Sequence, residues 1–60
     1  VEKEMYTYLF VYYLLGRKKE RIYDYYETFE VDAYNYEDAE IKLYRSRGDV
    51  EIVSIFCEEY

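Results

Sequence analysis

The sequence contains no histidine, proline or tryptophan, and it has one cysteine and two glycines. Without histidine, the serine, threonine and cysteine side chains lack the usual base that activates a nucleophile. Gly16 and Gly48 stand alone, so no glycine-rich phosphate loop is present. A single thiol, Cys57, cannot form an intramolecular disulfide, which favours a reducing compartment such as the cytoplasm. We therefore expect neither an enzyme nor a nucleotide-binding protein.

Carboxylate pairs can act as acid and base or hold a divalent cation, but their spacing here matches no calcium loop. The clusters are Glu37, Asp38 and Glu40 on one side and Glu58 and Glu59 on the other. We expect a solvated helix start and a charged tail, with no catalytic residue, cofactor or metal. Cys57 is expected to be a small buried residue near the end of a strand.

The length of 60 residues fits one domain, residues 1–60, and no linker interrupts it. A core this small usually needs a disulfide, a metal ion or a second subunit to be stable. Of these, the composition leaves self-association. Residues 6–15 form the longest apolar run, which is too short to cross a bilayer as a helix. Residues 1–4 do not have the basic start of a signal peptide. We expect a soluble protein.

Four elements follow from the residue pattern. Residues 5–15 are almost all apolar, β-branched or aromatic and stop at Gly16, which predicts a strand. Residues 21–33 alternate apolar and polar, which predicts a second strand joined to the first as a hairpin. Asn35 is a good N-cap for a helix that begins at Tyr36 and stops at Gly48. Residues 50–57 predict a third strand.

This β-β-α-β order predicts an α+β fold, in which an antiparallel three-stranded sheet of order 2-1-3 carries the helix on one face. An even-sum hairpin register would place Leu9, Val11 and Leu15 beside Tyr23, Phe29 and Val31 as the core face. Glu27 falls on that face, which suggests a bulge or a position near the sheet edge. On the helix, Tyr36, Ala39 and Leu43 share one stripe.

Eleven tyrosines are the unusual feature of the composition. With the odd-numbered face under the helix, the open face would carry an aromatic row too apolar to stay exposed. Three explanations remain open: a second copy covers the row, a different protein covers it, or it is an aromatic ladder in a monomer. We expect self-association through this row, which consists of Tyr6, Tyr8, Phe10 and Tyr12, with Leu14 beyond them.

The net charge of −6 disfavours direct binding to nucleic acid or to an anionic membrane. Carboxylates spaced along a rigid surface can imitate phosphates, although ordinary solubilising charge is the alternative. The candidate acids are Asp24, Glu30 and Asp32 on the second strand, Glu37, Asp38 and Glu40 at the helix start, and Glu51, Glu58 and Glu59 in the last strand. Arg17, Lys18, Lys19 and Arg21 form a basic hairpin tip, which is either a solvated turn or a phosphate contact.

Three segments carry a family resemblance, namely Tyr23-Asp24-Tyr25-Tyr26-Glu27, Tyr36-Glu37-Asp38-Ala39-Glu40 and Asp49-Val50-Glu51-Ile52-Val53. The chain resembles small acidic phage-encoded inhibitors of host nucleic-acid enzymes, both the dimeric uracil-DNA glycosylase inhibitors and anti-CRISPR proteins of similar size. In the glycosylase inhibitors a bulky aromatic near the helix start enters an apolar pocket of the enzyme. Ala39 falls near that place here, and Tyr36 is the residue that would substitute.

This resemblance implies a host-cell inhibitor that presents carboxylates as a DNA mimic to a nucleic-acid-binding protein, such as a glycosylase or a CRISPR effector. Tyrosines would anchor it. The expected partner-binding residues are Asp24, Tyr26, Glu30, Asp32, Tyr36, Glu37, Asp38 and Glu40. The alternative is a homo-oligomerising scaffold module with no target related to nucleic acid.

Overall fold

The computed structural model describes residues 4–58 and contains three strands and one helix. The strands are β1 (Tyr6–Leu14), β2 (Glu27–Ala33) and β3 (Val50–Glu58), and the helix α1 spans Tyr36–Arg47. The strands form an antiparallel sheet of order β2-β1-β3, and the helix contacts β2 and β1. The predicted α+β fold with β1 in the centre is confirmed. The predictions for Val1–Lys3 and Glu59 lie outside the described residues.

The helix begins and ends where its capping residues predict. The side chain of Asn35 accepts a 2.8 Å hydrogen bond from the backbone N–H of Asp38, which satisfies a free donor of the first turn. Gly48 has a φ of 80° and donates its N–H to the carbonyl of Tyr44. Ala39 and Leu43 are fully buried against the sheet, whereas Tyr36 is 44% exposed. The predicted helix is confirmed, with a narrower apolar stripe.

The core lies on the opposite face of β1 from the one that we expected. Tyr8 pairs with Val31 and Phe10 with Phe29, so even-numbered residues of β1 share a face with odd-numbered residues of β2. Phe10 and Tyr12 are completely buried and Tyr8 is 7% exposed. The physical reason is volume, because the helix contributes only Ala39 and Leu43 to the core and large rings fill the remaining space.

The second strand is shorter than predicted, because the segment before it does not pair with β1 as a regular strand. Leu15 and Arg21 form an isolated bridge around a turn in which Lys19 has a left-handed φ of 64°. Residues 22–26 then form an irregular, exposed loop before β2 begins at Glu27. The expected hairpin of two long strands is therefore wrong over this loop, and the irregular connection sets the odd register.

Glu27 lies at the start of the edge strand β2 and is not part of a bulge. Its carboxylate accepts a 3.4 Å hydrogen bond from the hydroxyl of Tyr12, its partner in the ladder. The irregularity in the sheet is in β3 instead, where the register with β1 shifts between Val11 and Tyr12. Val11 faces Ser54 and Tyr12 faces Ile52, so Val53 is the extra residue. No helix within residues 4–58 is long and apolar enough to span a membrane.

Candidate protein-binding surface on the open sheet face

The face of the sheet that α1 leaves uncovered combines an apolar centre with charged margins. It is built from the side chains that alternate with the core residues on each strand. We call this set the open face, and it consists of Thr7, Leu9, Val11 and Tyr13 from β1, Thr28, Glu30 and Asp32 from β2, and Glu51, Val53, Ser54, Phe56 and Glu58 from β3.

The centre of the open face is apolar. Leu9 lies opposite Phe56, and Val11 lies opposite Ser54 next to the extra residue Val53. Val53 is 53% exposed and Phe56 is 56% exposed. Leu9 and Val11 are half-buried by their neighbours in the sheet. An apolar strip framed by polar groups is the usual anatomy of a protein-binding surface.

One margin of the open face is acidic. Glu30 lies beside Leu9 in the β1–β2 ladder, and Asp32 lies beside Thr7, whose hydroxyl donates a 2.7 Å hydrogen bond to it. Residues two apart on a strand are separated by about 6.6 Å and project from the same face. Both acids are exposed. The structure therefore brings two predicted partner-binding residues together on one edge strand.

The other end of the open face is held by an ion pair over an aromatic ring. Arg21 donates from Nε to Oε1 of Glu51 at 2.9 Å and from Nη2 to Oε2 at 3.1 Å. Its guanidinium carbon lies 3.8 Å from the ring centroid of Tyr13. The hydrogen bond from Arg21 lowers the pKa of Glu51, and the same bond raises the pKa of Arg21. Arg21, from the β1–β2 connection, therefore links Glu51 of β3 to Tyr13 of the central strand β1.

The predicted acids of the helix lie on the other side of the sheet from Glu30 and Asp32. Asp38 contributes to the N-terminal end of the helix. Its carboxylate accepts a 3.2 Å hydrogen bond from the N–H of Tyr34 and forms an ion pair with Lys42 at 3.5 Å. Partial burial of the ring, followed by the nearby Glu40 carboxylate, raises the pKa of Tyr36. Glu37 is exposed. The eight predicted residues therefore do not form one surface.

The loop of residues 22–26 forms a separate aromatic surface. Tyr23 and Tyr25 stack with their ring centroids 4.9 Å apart. Tyr25 is 57% exposed, Tyr26 is 59% exposed and Asp24 is also exposed. Tyrosine rings held outside the core offer large contact area with a polar tip. Tyr26 and Asp24 are accessible, as their expected role requires, but they belong to this loop and not to a strand.

The predicted self-association row is wrong in its placement. Tyr8, Phe10 and Tyr12 form the core beneath the helix, and Tyr6 is half-buried and packs against that core. The three buried rings cannot meet a second copy while the domain is folded. Cys57, which we expected to be buried, is exposed near the end of β3.

Leu9, Val11, Val53 and Phe56 were not identified from the sequence as surface residues. Both faces of β1 are apolar, so periodicity does not distinguish the core face from the open one. In β3 the bulge at Val53 shifts the alternation halfway along the strand. A sequence analysis that assumes a constant period of two along β3 therefore does not predict that Val53 and Phe56 are both exposed.

The basic tip is partly neutralised by the segment that follows the helix. Lys19 pairs with Asp49 at 3.2 Å, and Arg21 pairs with Glu51 as described. The N–H of Leu15 donates to the carbonyl of Asp49, which holds the turn against the start of β3. Arg17 and Lys18 are exposed. The tip is therefore attached to the beginning of β3 by two ion pairs.

Within residues 4–58 no pocket is present, and no three acidic or thiol side chains converge where a metal ion would bind. Comparisons with protein-family models, with curated proteins and with solved structures found no match to this chain. The architecture and the composition of the open face are thus the basis for functional inference.

Proposed function

We propose that this protein is a binding module that docks the open face of its sheet onto a basic surface of another protein. The observation that carries the proposal is an exposed apolar strip, centred on Val53 and Phe56, with Glu30 and Asp32 along one margin. Such a surface buries apolar area at its centre and attracts positive charge at its edge.

Charge selects the class of partner. The open face carries four acids, which are Glu30, Asp32, Glu51 and Glu58, and Glu51 is paired with Arg21. Two copies packed with these faces together would bring like charges close, which is unfavourable. A partner with lysine and arginine around an apolar patch satisfies both parts of the face.

Proteins that bind nucleic acid present such basic surfaces. Occupation of a surface of this kind by the open face would exclude the nucleic acid, so we propose that the protein acts as an inhibitor. Glu30 and Asp32 would stand in for phosphates, and Tyr26 in the exposed loop would act as an anchor at the margin. The net charge of −6 supports this proposal because it accelerates encounter with a basic target.

Under this proposal the protein acts in the cytoplasm of a host cell, as the phage-inhibitor resemblance implies. The single cysteine agrees with a reducing environment. The alternative, a scaffold that associates only with its own copies, predicts that the open face has no basic partner. The two proposals differ in whether nucleic acid displaces a protein bound to the open face.

The test uses the immobilised chain and the heparin-binding fraction of a bacterial lysate, which is enriched in proteins with basic surfaces. We expect captured protein that a duplex DNA oligonucleotide elutes and that rising salt also releases, because screening weakens charge attraction. The double variant Glu30→Gln/Asp32→Asn should lose most of the capture.

Glu37→Gln/Glu40→Gln is the matched control, because it removes the same charge from the helix side of the sheet. It should retain capture. Loss of capture in the helix variant with full capture in the strand variant would overturn the proposal, as would capture that duplex DNA does not displace. Leu9→Lys tests the apolar centre and should abolish capture without changing the acidic margin.

A further inference from the structure

Arg21 occupies a place on the open face that is built from a ring of one strand and a carboxylate of the next. Tyr13 and Glu51 are partners in the β1–β3 ladder, so their side chains stand next to each other on this face. The guanidinium carbon of Arg21 lies 3.8 Å from the centroid of the Tyr13 ring, and the group forms two hydrogen bonds with the Glu51 carboxylate. The ring and the carboxylate together hold one planar cation.

The geometry of this place selects a guanidinium group over an ammonium group. The Nε and Nη2 atoms of Arg21 each donate to a different oxygen of the same carboxylate. A lysine has no such planar fork and binds a carboxylate as a point charge. A flat guanidinium also stacks on a tyrosine ring. We call Tyr13 and Glu51 the guanidinium site.

The guanidinium site is continuous with the apolar strip of the open face. Tyr13 lies two residues beyond Val11 on β1, and Glu51 lies two residues before Val53 on β3. Residues two apart on a strand are separated by about 6.6 Å, which is less than the width of an ordinary protein contact. A protein seated on the apolar strip therefore reaches the site that Arg21 fills.

Arg21 is held in the site by an interaction that exchanges easily. The side chains of Arg21 and Glu51 are 50% and 48% exposed, and an exposed ion pair contributes little to stability because water and salt compete with it. The backbone is held independently, since the N–H of Ile22 donates to the carbonyl of Leu14 at 2.9 Å. Arg21 therefore leaves the site by rotation of its side chain, without a change in the fold.

We propose that Tyr13 and Glu51 form a binding site for an arginine side chain of the partner, and that Arg21 fills this site in the free protein as an internal stand-in. The partner's arginine replaces a group of the same shape and charge, so the ion pair is exchanged and not lost. A basic surface that carries arginine gains this contact, whereas a lysine surface of equal charge does not. The inference rests on the proposed function for the kind of partner, but the site is testable without that partner.

Hexa-arginine and hexa-lysine peptides are the probes, because they carry the same charge and differ in the cationic group. The test variant is Arg21→Lys, which weakens the internal occupant and leaves the net charge unchanged. We expect it to bind hexa-arginine about two- to fivefold more tightly than the parent does, the factor that corresponds to an exposed ion pair. The gain with hexa-lysine should be smaller. Fluorescence anisotropy of the labelled peptides at low salt measures both affinities.

NMR locates the bound peptide. In the Arg21→Lys variant, hexa-arginine should shift the ring resonances of Tyr13 and the side-chain carboxyl resonance of Glu51. Addition of Tyr13→Leu to this variant removes the ring at constant charge and should abolish the gain in affinity. Arg17→Lys is the matched control, because it makes the same exchange at an exposed residue of the tip. It should bind hexa-arginine as the parent does.

Equal affinity of the parent and the Arg21→Lys variant for hexa-arginine would overturn the inference. A gain of the same size with hexa-lysine would overturn it as well, as would peptide-induced shifts confined to Glu30 and Asp32. None of these outcomes decides whether the heparin-binding fraction is captured. Conversely, failed capture together with the gain in Arg21→Lys would reject the proposed partner and keep the guanidinium site, so the two proposals fail separately.

Discussion

The Nε atom of Arg47 donates a 2.9 Å hydrogen bond to the phenolic oxygen of Tyr12, a residue 35 positions earlier in the chain. The same hydroxyl donates to Glu27, and the guanidinium of Arg47 lies 5.0 Å from the ring centroid of Phe29. The last turn of the helix is thereby fastened to the central strand and to the start of β2. Tyr12 is completely buried, so its hydroxyl depends on these two partners.

Tyr12→Phe removes this hydroxyl and leaves the ring in place. Because its partners are charged, we expect the free energy of unfolding to fall by about 1–2 kcal/mol. Urea denaturation at one fixed protein concentration measures the change. Tyr13→Phe is the matched control on the open face and should stay within about 0.5 kcal/mol. Equal effects in the two variants would contradict the assigned role of Tyr12.

Phe10 and Leu9 are adjacent on β1 but lie on opposite faces of the sheet. Phe10 is completely buried, so Phe10→Ala should lower the free energy of unfolding by about 3–5 kcal/mol. Leu9→Ala should cost less, because Leu9 is only half-buried. Urea midpoints of the two variants test which face is the core. The reverse order would restore the face assignment that the sequence suggested.

Asn35→Ala should destabilise the protein by about 1 kcal/mol, because the N–H of Asp38 loses its acceptor. Asn35→Asp keeps an acceptor oxygen at the N-cap and should retain most of the stability. Thermal unfolding followed by circular dichroism at 222 nm, where helical signal dominates, measures both variants. A loss of similar size in Asn35→Asp would show that the cap does not depend on the acceptor.

The Arg21–Glu51 pair makes a pH-dependent contribution whose sign follows from the pKa of Glu51. Hydrogen bonding to Arg21 lowers that pKa in the folded state, so the carboxylate binds protons less readily there than in the unfolded chain. The stabilisation is therefore complete at neutral pH, above the ordinary glutamate pKa. It disappears as the pH falls through the lower pKa of the folded state.

Unfolding of the parent and of Glu51→Gln at a series of pH values measures this effect. The parent should be more stable at neutral pH, and the difference should shrink on acidification through the carboxylate range. Arg21→Gln removes the partner and should return the pKa of Glu51, measured by NMR titration, toward its ordinary value. A constant difference between parent and Glu51→Gln across that range would contradict the assignment.

The local elements of this protein were determined by its sequence. Asn35 and Gly48 mark the two ends of the helix through backbone groups within a few residues, so no distant contact is needed to place them. The apolar runs of β1 and β3 likewise predict strands, and the helix between β2 and β3 implies the order with β1 in the centre. These features depend on propensity, capping and connection rules that act along the chain.

The choice of face was decided by tertiary structure alone. β1 is apolar on both sides, so its own pattern cannot say whether Phe10 or Leu9 meets the helix. That depends on the register across the irregular loop of residues 22–26, on the bulge at Val53, and on the volume left beneath the two buried helix residues Ala39 and Leu43. Register and packing are relations between distant segments, and a one-residue change in register exchanges the core with the surface.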